Sequence, residues 1–215
     1  RPGVARALRA VAADGRNGFY LGEFGDGLMA LGGGWFSADD LARTNADWVQ
    51  PLQADAFGVR LWTVPPNSQG YLTLGAAQVA TTLDLPADPD HEHWAHLLVE
   101  AAKVAGHDRP EVLHEGADGN ELLARIRARA GEVSIERSSA LGVNGANGDT
   151  TYLCTTDHGG MGVSLIQSNA SGFGSWLAEP NTEINLHNRG LGFNLIPGHP
   201  AELRPGARPP HTLSP

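Results

Sequence analysis

At 215 residues with a formal net charge of −9, the chain is long enough for one sizeable core or two small ones, and the lack of any basic stripe argues against nucleic acid as a partner. Its 28 glycines and 14 prolines make it loop-rich without reaching a disordered composition. The one cysteine, Cys154, excludes an internal disulfide framework, and no apolar run approaches the roughly 18 residues of a membrane span.

Val4, Leu8 and Val11 recur at helical spacing, which predicts a helix over residues 3–13 ended by Asp14-Gly15. A second helix is expected from Phe19 to Leu31, stopped by Gly32-Gly33-Gly34. That triplet lacks the Lys and Ser/Thr of a phosphate-binding loop and does not open a helix after a strand, so it reads as a stop. Ser37 ahead of Asp39-Asp40 predicts an N-cap and acidic first turn for a short helix to Arg43. Asp47–Asp55 and Phe57–Val64 read as two strands joined near Ala56 and closed by Pro65-Pro66. Asn67 or Ser68 is expected to cap a helix from about Gly70 to Leu83, with Leu72, Ala76, Val79 and Leu83 on one face.

After the turn Pro86-Ala87-Asp88-Pro89, a helix is expected from His91 to Ala105, and another from Asn120 to Ala130. His91, His93 and His96 raise the possibility of a zinc-dependent hydrolase. His91 and His93, however, lie about 200° apart around a helix, and no Cys or carboxylate cluster completes a tetrahedral site. The three therefore read as a polar helix face, with no metal or other cofactor expected. Arg109 is expected to pair with acidic neighbours, and Arg125, Arg127 and Arg129 to form a solvated surface. Residues 131–149 read as a polar connector with a flexible end.

That connector ends in Asn144-Gly145-Ala146-Asn147-Gly148 and leads into Thr150-Thr151-Tyr152-Leu153-Cys154-Thr155-Thr156-Asp157. The turn His158-Gly159-Gly160 and a second β-prone run, Met161 to Ile166, complete the pattern of a β-hairpin. Cys154 is expected there as a small buried residue. If the bond between Asp149 and Thr150 is cut, Thr150 carries both a hydroxyl and a free α-amine, whose reference pKa is about 7.7–8.0. Such an amine can take the hydroxyl proton near neutral pH, so one residue supplies nucleophile and base. Uncut, Thr150 is the capped start of a strand.

The run Thr150–Asp157 resembles the start of the small subunit of gamma-glutamyltransferases, which are N-terminal-nucleophile hydrolases. Further pieces match in the family's order: Ala170-Ser171-Gly172-Phe173-Gly174-Ser175, Ile184-Asn185-Leu186-His187-Asn188-Arg189, Gly192-Phe193, and Arg208-Pro209-Pro210-His211-Thr212-Leu213-Ser214-Pro215. Upstream, Gly15–Glu23 and Val64-Pro65-Pro66-Asn67-Ser68-Gln69-Gly70 resemble the last part of the large subunit. The resemblance implies an α+β fold, part of an αββα sandwich with the helical segment 67–130 beside it. It implies that residues 1–149 end a large subunit and residues 150–215 begin a small one, both arising from one precursor cut between Asp149 and Thr150. It also implies a small-molecule amide substrate, glutathione or another acylated amine. Precursors of the family are well over twice this length, and Arg1 is not an initiator Met. The chain is thus expected to be an internal piece, and inert alone if the oxyanion-hole glycines lie past Pro215.

By the same resemblance Thr150 is the nucleophile and Ser168 a hydroxyl that orients it, although Ser168 could equally be a surface strand residue. The substrate pocket departs from the typical pattern. An Asn, a Gln and an Asp that hold the glutamyl α-amino group correspond to Ala170 (with Asn169 adjacent), Arg189 and Gly192, and a Ser pair that meets the α-carboxylate corresponds to His211 and Thr212. An acidic partner for an ammonium is lost and a guanidinium gained. This suits a glutaryl-like acyl group gripped by Arg189, as in the acylase-like branch that includes cephalosporin acylases. Arg189 in a surface ion pair is the competing reading. For the whole chain, a binding domain that keeps the fold without catalysis is the alternative function.

Overall fold

The computed structural model describes residues 1–142 and 150–214. It is an α+β structure of seven α-helices and two separate two-stranded sheets among the described residues, and the chain folds into two compact units. One comprises Arg1–Trp48 with Ser168–Asn188, the other Val49–Gln167 with Arg189–Pro215. This grouping follows packing and is a separate matter from a large and small subunit.

The first unit is built from α1 (Pro2–Tyr20), α2 (Glu23–Leu31) and α3 (Ala38–Ala42). The predicted stop at Gly15 is a break, not an end: its φ of 59° and ψ of −137° interrupt α1, which then resumes to Tyr20. Phe19 therefore belongs to α1 and not to α2, which starts only after Gly22. Ser37 and Asp40 form the reciprocal capping box of α3, with the Asp40 backbone N–H donating to Ser37 Oγ at 3.2 Å and Asp40 Oδ2 accepting from the Ser37 N–H at 2.9 Å. Phe24, Leu28 and Leu41 form the core, with Phe19 stacked on Phe24 at 4.1 Å and Ile184 and Leu186 packed alongside.

The segment from Ser168 to Asn188 contains no helix or strand apart from the strand end at Ser168, so side chains secure its turns. Glu179 is 0% exposed. Its carboxylate accepts the backbone N–H groups of Asn181 and Thr182, each at 2.7 Å, and the Thr182 hydroxyl. A buried carboxylate is tolerable only with such a full donor set. Asn188 does the same for residues 171–174, accepting from the Ser171 N–H at 3.0 Å and donating to Gly174 O at 3.0 Å.

The second unit holds the larger core. β1 (Leu52–Ala56) and β2 (Val59–Thr63) pair antiparallel from Leu52↔Thr63 to Ala56↔Val59. Phe57 and Gly58, at φ 51° and 77°, make the two-residue turn, the left-handed pair that a twisted hairpin favours. Alternate residues of β1 are buried beneath α4 (Gly70–Thr81), and α4 packs on α5 (Glu92–Gly106) and α7 (Gly119–Ala128). Tyr71, Leu74, Val79, Ala101, Leu123 and Ile126 fill the space between them. Gly75 lets α7 approach closely, since a Cβ there would lie 2.5 Å from Ile126 Cδ1. The four-residue α6 (Arg109–Val112) links α5 towards α7.

Several local expectations change here. Neither Asn67 nor Ser68 caps α4: Gln69 holds the cap position and makes no side-chain cap bond, because both predicted caps are engaged by the chain end described below. Asp108, not Arg109, makes the ion pairs, accepting from Arg125 Nε at 2.8 Å and Arg129 Nη2 at 2.7 Å. Burial alone would raise the Asp108 carboxyl, but hydrogen bonds from Arg129 and Arg125 outweigh it and hold it below its ordinary value. Arg129 is thus no solvated surface residue: spacing along the helix does not register that an acid sits on the facing turn. The described part of the connector is also fastened. Glu100, buried on α5, accepts from Lys103 Nζ, the Ser138 hydroxyl and the Ser139 N–H, each at 2.9 Å. Burial opposes ionisation, yet these donors bring its carboxyl down to about 2. Residues 143–149, which include the predicted flexible tract and Asp149, lie outside the described residues.

Two substitutions test the first unit in opposite directions. A Cβ on Gly27 would fall 1.4 Å from Glu179 Oε1, so Gly27→Ala should destabilise the full-length protein by about 1–3 kcal/mol, read from its denaturant midpoint. Ala170 sits at φ 79°, where an L side chain costs roughly 1–2 kcal/mol. Ala170→Gly should therefore raise the melting temperature of the full-length protein slightly, and a fall would mean that the Ala170 methyl contributes more than its left-handed backbone costs.

Candidate functional site

β3 (Thr150–Thr156) and β4 (Gly162–Ser168) pair as the predicted hairpin. Asp157 shapes the turn: Oδ1 accepts the Gly159 N–H at 2.8 Å and the Met161 N–H at 2.9 Å, while Gly160 takes φ 81°. Every residue of β3 is exposed. Cys154 is therefore exposed, not buried as its apolar neighbours suggest, because alternation within a strand cannot tell whether a second layer covers it. Thr150 opens the strand and borders a recess of about 260 Å³ shared with Tyr152, Ile166, Thr212, Leu213 and Ser214.

The other wall of that recess is the chain end 208–214, which has no regular structure. Backbone groups outside helices and sheets still need partners, and here residues 67–109 provide them. Asn67 Nδ2 donates to Pro209 O at 2.6 Å, Ser68 Oγ to Leu213 O at 2.7 Å, and Gln69 Nε2 to Thr212 O at 2.9 Å. Arg109 Nη2 donates to His211 O at 3.2 Å, so Arg109 serves the chain end, not an acidic neighbour. Its Nε is buried with no hydrogen-bond partner among the described residues.

Arg189 lies on this wall too, its Nη1 donating to Thr212 Oγ1 at 3.2 Å; it is half-buried, and burial lowers its pKa. His211 stands among the same cations. Its Nδ1 accepts the Leu213 N–H at 3.2 Å, which selects the neutral ring protonated on Nε2. Burial first, then the Arg189 and Arg109 guanidinium groups, push it down to about 4. Gly192 has a steric role that the sequence does not reveal. A Cβ there would lie 2.1 Å from Pro210 O, so no side chain, acidic or otherwise, fits at that position beneath the chain end.

Thr150, Arg189, His211 and Thr212 thus belong to one unit, while Ser168 and Asn169 are grouped with the other. Ser168 Oγ accepts the Ala170 N–H at 3.1 Å. Asn169 borders a recess of about 470 Å³ with Arg1, Phe173, Trp176, Ala178 and Asn185. A mostly apolar cavity of about 490 Å³ in the same unit, between Phe24, Trp35, Leu177 and Ile184, touches none of the predicted site residues. The three histidines have separate tasks or settings: His91 caps α5 by accepting the His93 N–H at 3.1 Å, and His96 Nε2 pairs with Ser134 O at 2.7 Å. Among the described residues no three His, Cys, Asp or Glu side chains group as metal ligands.

His211 ties stability to pH. An unfolded chain protonates it near 6.5, the folded chain only near 4, so as pH falls through this window the unfolded state takes up the proton first. Its contribution is full above about 6.5 and is lost progressively towards 4. His211→Asn should flatten the stability profile of the full-length protein between those limits, with little change at pH 8.

Comparison with known proteins gives the chain's family. The oxamate amidohydrolase proenzyme of Klebsiella pneumoniae is 34% identical over the whole chain, and the glutathione hydrolase-like YwrD proenzyme of Bacillus subtilis is 31% identical over 99% of it. The chain spans 42% of the length of each. The crystal structure of cephalosporin acylase from Bacillus halodurans superposes with a TM-score of 0.85 at 33% identity, covering 98% of this chain and 40% of that one. The gamma-glutamyltranspeptidase family model matches residues 1–215, and the chain belongs to that family.

Proposed function

We propose that the full-length protein is a self-processing amide hydrolase or acyltransferase with Thr150 as its nucleophile, selective for a glutaryl-like acyl group. The observation that carries this reading is the recess in which Thr150 faces Thr212 with the Arg189 guanidinium on the Thr212 hydroxyl. In this reading, cleavage between Asp149 and Thr150 divides the precursor into a large and a small subunit and frees the Thr150 amine. The amine takes the hydroxyl proton as Oγ attacks the substrate carbonyl. The tetrahedral intermediate collapses with the C–N bond breaking, and the proton passes to the departing amine. Water, or an acceptor amine, then attacks the ester and restores Thr150. Ser168 is assigned the orienting hydroxyl and Asn169 a polar contact to the donor.

Specificity follows from charge. A γ-glutamyl donor carries an ammonium that needs an anionic or acceptor partner once desolvated. The segment that walls the recess is held by Arg189 at the Thr212 hydroxyl and by Arg109 at the His211 carbonyl, with His211 itself neutral, and Gly192 has no room for a carboxylate side chain. A glutaryl donor omits the ammonium and keeps a carboxylate that Arg189 can hold in place of its present bond to Thr212. The oxamate amidohydrolase name of one relative fits a donor without an α-ammonium, and the glutathione hydrolase-like name of another marks the competing donor.

Thr150→Ala should abolish self-cleavage and turnover in the full-length protein, and Thr150→Ser should retain part of both. N-terminal sequencing that finds Thr150→Ala cut normally at Asp149–Thr150 would rule out the nucleophile, and uncut, inactive unmodified protein would leave a binding domain. For specificity, kcat/KM for a glutaryl anilide should exceed that for the γ-glutamyl anilide, and Arg189→Gln should reduce the ratio by about 10–100-fold, the worth of a hydrogen bond to a charged group. A preference for the γ-glutamyl donor in the unmodified protein would reverse the assignment. Gly192→Asp should disrupt the chain end and lower activity on both donors without creating a γ-glutamyl preference.

A further inference from the structure

We propose that Ser68, Gln69 and Arg109 are positioning residues of the donor pocket, acting through the backbone of residues 209–214 across the gap that self-cleavage would open. This rests on Thr150 being the nucleophile. The segment 209–214 has no helix or strand to fix it, yet its carbonyls at Pro209, His211, Thr212 and Leu213 each accept from a side chain of residues 67–109. Two backbone bonds reinforce the contact, Gln69 N–H to Leu213 O at 3.3 Å and His211 N–H to Asn67 O at 3.1 Å. Side chains take part in only a minority of hydrogen bonds in folded proteins, since about two-thirds join backbone to backbone. A run of them reaching more than a hundred residues along the sequence is a dedicated fastening. Ser68 is 1% exposed, so its hydroxyl has no recourse to solvent if Leu213 O is withdrawn.

The fastening ends at the reacting groups. Gln69 grips the carbonyl of Thr212, whose hydroxyl accepts from Arg189 and whose side chain borders the Thr150 recess. Moving the Thr212 backbone therefore moves the Arg189 partner and the wall that a donor acyl chain would meet. All the side-chain donors precede position 149 in sequence and all the acceptors follow it. After cleavage the clamp would join two chains, and no covalent link would hold the pocket wall in register. A wall that drifts loses its contacts to the donor in ground and transition state alike, which raises KM and leaves kcat, so such a wall needs its own anchor.

The test uses the full-length protein with Gln69→Leu, its isosteric counterpart Gln69→Glu, and Ser68→Ala. Glu at position 69 suits the N-terminal end of α4 but cannot donate to Thr212 O, which separates loss of the clamp from damage to the helix. All three should cut themselves at a rate within about twofold of the unmodified protein and keep kcat within about threefold. KM for a glutaryl anilide should rise about tenfold, and hydrogen exchange at the His211 and Leu213 amides should quicken at least tenfold. Unchanged exchange would overturn the clamp. Faster exchange with an unchanged KM would overturn the positioning role, as would a uniform fall in kcat, self-cleavage and melting temperature. If the unmodified protein neither cuts itself nor turns over an amide, the functional reading fails and the positioning role with it.

Discussion

The structure depends on satisfying backbone carbonyls where there is no regular structure to do so. Residues 208–214 carry the pocket wall yet form neither helix nor strand, and an unpaired buried peptide group costs about 1–3 kcal/mol. The lead-in to α4 removes that cost through Asn67, Ser68 and Gln69. This explains why α4 forgoes a side-chain cap: residues suited to capping a helix end are equally suited to capturing another segment's carbonyls. The helix loses a modest cap contribution, and the molecule gains a fixed wall beside Thr150.

The first unit solves the same problem with one anion. Glu179 replaces a strand partner by collecting three donors from the next turn, and Gly27 on α2 leaves the space it occupies. Irregular chain is thus made specific by a buried polar group with a complete set of partners. Glu100 uses this device a second time, on the connector. None of the three sites relies on an exposed ion pair, which would contribute little.

Much of the helix content could be read from local pattern. Ser37 with Asp40 announces α3 and the Gly-rich turn after Asp157 marks the hairpin, whereas of the expected α4 face Leu72, Ala76, Val79 and Leu83 only Val79 is fully buried, the core side being Tyr71, Leu74, Gly75, Val79 and Ala80. These features depend on neighbours in sequence. What the sequence withheld was long-range: the acid that pairs with Arg129, the role of Arg109 at His211, the exposure of Cys154, and the crowding that keeps Gly192 bare. For the site, the resemblance supplied Thr150, Ser168, Asn169, Arg189, His211 and Thr212 as candidates, and the fold groups all but Ser168 and Asn169 in one unit. Gln69 carries no such signal, because its side chain acts on Thr212 and no periodicity joins those positions.

The β3–β4 ribbon has a consequence for association. A two-stranded sheet is only marginally stable in water, and this one, which among the described residues contains β3 and β4 alone, exposes Tyr152, Leu153, Val163 and Leu165 together. The edges of an uncovered sheet accept further strands. Left uncovered, the ribbon that carries Thr150 would be the point at which copies of the chain add to one another as a growing sheet, so concentration and temperature during handling bear on the same strands as the proposed nucleophile.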